Sequence, residues 1–146
     1  MLYEDTTKSV LHQLGIGKSY KGYNYILYGI HLISQDESRL YCITKVLYID
    51  IAKEHHTSSI CVEKNMRTII EVIWRKTREN KQLILNIFGS RYASVKPSNK
   101  EFLELLYEYV KSYDMLKEAF LINKVICPIS KEVCTAYNEF MKKLSI

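Results

Sequence analysis

Only two prolines and five glycines interrupt the 146 residues, so the helix-breaking residues that punctuate strand-and-turn folds are scarce. No uninterrupted apolar run is long enough to cross a bilayer. The opening MLYEDTTKSV carries acids and no apolar stretch behind a basic start, which does not fit a signal peptide and makes a cytoplasmic protein the expectation. A glycine-rich phosphate loop, a nucleophile motif and a convincing pair of catalytic carboxylates are all missing, so neither an enzyme nor a bound cofactor is expected. Cys42, Cys61, Cys127 and Cys134 have no CxxC spacing and sit in apolar-rich segments, which favours buried, reduced thiols over disulfides.

What remains is an ordinary globular composition, 47% hydrophobic and 25% charged, in a chain long enough to bury a core of its own. The net charge of +5 is concentrated in one place. Between Thr57 and Lys100 there are nine basic side chains and only three acids, Glu63, Glu71 and Glu79, which puts +6 in that window and −1 in the rest. A basic middle between near-neutral flanks is the footprint of a phosphate-backbone binder, although a solvated helix face can look the same.

Apolar spacing predicts helices through most of the chain. A first short helix capped by Asp5 or Thr6 ends at the GIG of Gly15 to Gly17. A second runs from Gly22 to Gln35 with Tyr23, Ile26, Leu27, Ile30 and Ile33 as its core stripe. This reading makes Tyr20, Tyr23, Tyr25 and Tyr28 packing residues rather than a base-stacking platform. ITKVLYIDIAKEHH supplies a third helical stretch, Ser58 to Lys76 a long fourth and KQLILNIF a fifth that closes at Gly89. Ser98 to Glu101 reads as a capping box opening the next helix, and one or two more helices are expected beyond Tyr113, divided near Pro128.

The segment AKEHHTSSICVEKNMR, Ala52 to Arg67, admits two readings. His55, His56 and Cys61 match no zinc spacing, and adjacent histidines on a helix point about 100° apart, so a metal site is not expected. The alternative is a helix-turn-helix with Ala52 at the close approach. On a wheel, Val62, Met66, Ile69 and Ile73 share a buried face, and Ile60, Lys64, Arg67 and Glu71 gather opposite, flanked by Glu63 and Thr68. Arg or Lys at such a face can donate to guanine and Glu can accept from cytosine. Thr57, Ser58 and Ser59 would cap the helix and hold a phosphate on its free N–H groups. A plain surface ion pair between Glu63 and Arg67 explains part of the same pattern.

Longer strings carry a resemblance. KGYNYILYGI, ITKVLYIDIAKEHHT, VEKNMRTIIEVIW and FGSRYASVKPSNKEFLELL resemble, in order and spacing, the C-terminal effector domain of the master response regulator of endospore formation. The resemblance runs from about Ser9 to Lys111. It implies an all-α domain with a six-helix core and a helix-turn-helix that binds a short box on double-stranded DNA as tandem copies, to activate or repress transcription. The family's base-reading Glu-Arg-x-x-Arg-His falls on Glu63, Lys64, Arg67 and Thr68. Lys64 lacks the planar fork of arginine and Thr68 does not titrate. Ile60 and Cys61 stand where the family usually has Ser-Arg, and Ile49 replaces a common proline.

On this reading residues 1–113 form the effector-like domain and 114–146 a helical extension, which either adds a core layer or makes a homodimer surface in place of the receiver domain that the family usually carries. The expected function is a DNA-binding transcription regulator reading the major groove with the helix at about 58–76. Arg75, Lys76, Arg78, Arg91 and Lys96 would join Thr57, Ser58 and Ser59 as phosphate contacts, and RNA polymerase is a further possible partner. The alternative is a decoy or antagonist that keeps the fold, has lost DNA reading, and pairs with the full-length regulator or the transcription machinery.

Overall fold

The computed structural model describes residues 3–126, and among these every regular element is helical. α1 (Glu4–Gln13) and α2 (Lys21–Gln35) are followed by a 3-10 turn (Glu37–Tyr41) and a single π turn (Ile43–Leu47). These lead into the short α3 (Tyr48–Glu54), then α4 (Ser59–Arg75), α5 (Thr77–Phe88), a second 3-10 turn (Ser90–Ala93) and the 28-residue α6 (Asn99–Ile126). The all-α architecture with six α-helices matches the expectation from sequence.

α2 is the axis of the core. It packs on α1, α3, α4 and α6, so it buries more than one face. Besides the expected Tyr23, Ile26, Leu27, Ile30 and Ile33, it also buries Gly22, Tyr25, Gly29 and Leu32. Tyr20 and Tyr28 are half-buried against the same core, as the packing reading of the tyrosines requires. The first turn of α2 lies hard against α4: a methyl group on Gly22 would stand 2.6 Å from the Asn65 carbonyl oxygen and 2.7 Å from Ile69 Cδ1. Only glycine permits that approach.

α6 closes the bundle. Phe102, Leu103, Leu106, Tyr107 and Val110 are buried, and Phe102 stacks on Phe88 with Trp74 edge-on to both rings. The Trp74 indole donates to the Tyr92 carbonyl at 2.8 Å, which gives its one polar atom a partner. Ser98 accepts from the Glu101 N–H at 3.2 Å, the serine half of the capping box. The glutamate half differs. Its carboxylate accepts from the Tyr92 and Ser98 hydroxyls, and the bond from Tyr92 holds it below the usual carboxylate range.

Three expectations are corrected and one is refined. α1 begins at Glu4 after Tyr3, with no side-chain cap, so Asp5 and Thr6 lie inside its first turn, and the Thr6 hydroxyl donates to Asp114 on α6. ITKVLYIDIAKEHH is a helical stretch from Ile43 to Glu54 as expected, although a π turn over Ile43–Leu47 shifts the register before α3 starts at Tyr48. Cys42 is exposed and Cys61 half-buried; Cys42 sits between two non-α turns, where no helical period turns it inward. Beyond Tyr113 no new helix begins within the described residues, since α6 continues unbroken to Ile126. Pro128, Cys127 and Cys134 lie outside the described residues.

Candidate nucleic-acid interface

The turn between α3 and α4 explains the two histidines. His55 is the C-cap of α3 and His56 follows in the left-handed region at φ 52°. Two reversed bonds close the helix end, from the Thr57 N–H to the Ala52 carbonyl at 2.9 Å and from the His56 N–H to the Lys53 carbonyl at 3.4 Å. The end of α1 is built the same way, with Gly15 at φ 85° and bonds from Ile16 to Leu11 and Gly15 to His12. This is a Schellman closure in both places. Histidine occupies in one the position that glycine occupies in the other.

With the chain reversed by that turn, buried Ala52 lets α3 lie close to α4. Ser58 then opens α4 as its N-cap, accepting from the Cys61 N–H at 3.1 Å. Val62, Met66, Ile69 and Ile73 are buried as expected, and Ile70 joins them. One face of α4 is thereby fixed to the core and the other is left to solvent. Among the described residues this is a helix-turn-helix in which α4 is the second helix.

Ile60, Lys64, Arg67 and Glu71 fall within about 60° of one another on the outer face. Ile60 is 75% exposed and the Arg67 side chain 56% exposed. Glu63 and Arg67 are ion-paired one turn apart, the bland interaction that the spacing allowed. At a surface this pair is worth only a few tenths of a kcal/mol, so it does not prevent Arg67 from exchanging partners. The Thr68 hydroxyl donates to the Lys64 carbonyl at 3.0 Å, and Thr68 and Lys64 are both exposed.

The proposed phosphate contacts do not form one patch. Thr57, Ser58 and Ser59 sit at the start of α4, and the Thr57 hydroxyl is engaged with the Cys61 thiol, which that bond holds below the usual thiol range. Lys96 comes from the loop before α6 and reaches Glu71 at 3.5 Å, beside the outer face. Arg75, Lys76 and Arg78 lie at the other end of α4 and the start of α5, roughly 16 Å along the helix from Lys64. Arg91 lies over the Tyr92 ring, after α5.

Tertiary structure adds residues that local spacing did not single out. A groove of about 600 Å³ runs beside the outer face of α4, lined among others by Tyr41, Glu63, Arg67, Lys96, Asn99 and Lys100. Asn99 donates to the Tyr48 hydroxyl at 3.0 Å and to the Glu63 carbonyl at 3.2 Å, pinning the start of α6 to the helix-turn-helix. Tyr41 is exposed under Lys100, whose ammonium lies 5.9 Å from the ring centre. Lys100 was visible only as one more charge in the basic window; that it flanks α4 depends on the fold of α6.

No group of three His, Cys, Asp or Glu side chains suited to a metal ion occurs among the described residues. No helix among them is long and apolar enough to cross a membrane. Compared with known protein families, residues 7–110 match the model described as "Sporulation initiation factor Spo0A C terminal".

Proposed function

The chain belongs to the family of the C-terminal domain of the sporulation initiation factor Spo0A, a DNA-binding effector domain of transcription regulation, and on that premise we propose that it reads DNA sequence by laying α4 in the major groove. Lys64 and Arg67 donate to base edges, Glu63 orients Arg67 or accepts from a base, and Thr68 borders the contact. The observation that carries this reading is the outer face of α4: a capped helix, fixed to the core through Val62, Met66, Ile69 and Ile73, that presents exposed Lys64 and Arg67. A preorganised face of this kind loses little entropy on docking.

Phosphate contacts fall to Ser58, Ser59 and the N–H groups of the first turn on one side and to Lys96 and Lys100 on the other. Thr57 supports this turn through Cys61. Arg75, Lys76, Arg78 and Arg91 are too far along the fold to share the central contact and serve flanking phosphates. Two copies on one DNA site are part of the proposal. Met115, Leu116 and Leu121, all exposed around α6 beyond the core, leave apolar side chains for a second copy to cover.

Selection of duplexes from a random pool, followed by titration of the selected and scrambled duplexes at two salt concentrations, tests the reading. Selective binding that weakens with salt is expected. Equal affinity for both duplexes would overturn it and fit the decoy alternative.

A further inference from the structure

Ile60 is the most exposed aliphatic side chain among the large apolar residues of the helix-turn-helix. It lies in the first turn of α4, one turn before Lys64 and two before Arg67, on the same outer stripe. It does not serve the core, since the buried face of α4 is complete without it. Nor does it serve the hollow behind the turn: that hollow, about 360 Å³, is lined by Lys21, Tyr25, His56 and Cys61 among others, on the side of α4 that faces α2. A branched aliphatic in that place offers only methyl groups to whatever docks there.

Major-groove edges of base pairs are almost wholly polar; the exception is the C5 methyl group of thymine. Arginine or lysine at position 60 would compete for guanine or phosphate. Isoleucine can do neither, and it leaves polar edges without a partner, which penalises them. Resting on the reading that α4 enters the major groove, we infer that Ile60 is a specificity-determining residue that selects a thymine through its methyl group. Ile60 and Arg67 are separated by a helical rise of roughly 10 Å, which corresponds to about three base-pair steps. The selected thymine therefore lies two to four steps, roughly, from the base pair that Arg67 reads.

Deoxyuridine differs from thymidine by this one methyl group and pairs identically, which isolates the contact. In the duplex selected from the random pool, each thymine is replaced in turn by deoxyuridine, and binding is measured for the full chain and for Ile60→Ala. For the unaltered chain, one replacement is expected to weaken binding about fourfold, the worth of one buried methyl group. The same replacement should leave Ile60→Ala unaffected. Because Ile60 is exposed, the variant should keep its helical circular dichroism, and Ile60→Val should retain most of the methyl preference.

A methyl effect that persists in Ile60→Ala, or no thymine whose methyl matters, overturns the inference. Selective binding that still depends on Arg67 would in that case leave the broader reading standing. Absence of selective binding by the unaltered chain sinks both.

Discussion

Arg67 and His56 stand at opposite ends of the same logic, one exposed to meet a ligand and one strained to shape a turn. Arg67→Ala should flatten discrimination at one base pair by about 1–3 kcal/mol, with smaller losses elsewhere in the site. Affinities for a panel of single-base variants check this, and an unchanged preference would remove Arg67 from the reading face. His56 holds a left-handed backbone at φ 52°, which costs a side chain more than it costs glycine. His56→Gly should therefore stabilise the fold by about 0.5–1 kcal/mol in chemical denaturation. A clear loss of stability would mean that the imidazole itself supports the turn. Spacing was enough to set the histidine pair aside as a zinc site, but the positive φ of His56 was not legible, because nothing in one residue's identity says which backbone region its neighbours impose.

Between elements, the close contact is that of α2 with α4. Gly22→Ala would drive a methyl group against the Asn65 carbonyl, a backbone atom that cannot step aside, and should destabilise by about 1–3 kcal/mol. Gly17, with nothing within 4 Å of an added Cβ, is the control, and Gly17→Ala should be near neutral. Thermal or urea unfolding of the two variants measures the difference; equal effects would argue that α2 and α4 can separate without cost. Element starts and stops were legible where a local bond makes them, as at Ser58 and Ser98, whose hydroxyls both cap. They were not legible where a distant partner competes. Asp114 engages Thr6 and Tyr92 engages Glu101, over 108 and 9 residues respectively.

Across the whole molecule, charge and surface set the behaviour. Lys96→Ala and Lys100→Ala should each weaken binding to all duplexes and reduce the slope of log affinity against log salt by about 1. A slope that did not change would place these lysines outside the contact. For the copy-to-copy surface, the pair Met115→Glu and Leu121→Glu should shift the full chain from dimer toward monomer in sedimentation. A monomer already in the unaltered chain would refute a dimer in free solution and leave tandem binding on DNA as the arrangement to measure. The basic window was readable in the sequence as a total, +6 over Thr57 to Lys100. Helical rise alone separates Arg75 from Lys64, but the return of Lys96 and Lys100 to the side of α4 was not readable.

By itself the sequence determined the helices, the buried stripe of α4 and the family, because helical period is a local property and long strings of residues are specific. The recurrence of Val62, Met66, Ile69 and Ile73 needs no knowledge of what they touch. Only the tertiary structure decided that Lys96, Lys100 and Tyr41 border the outer face of α4 and that Cys61 shares a hollow with Tyr25 and Thr57. Those placements depend on how the loop before α6 and the turns before α3 pack back on the helix-turn-helix. Contacts between residues far apart in the chain follow from packing the whole core, and no local pattern contains them.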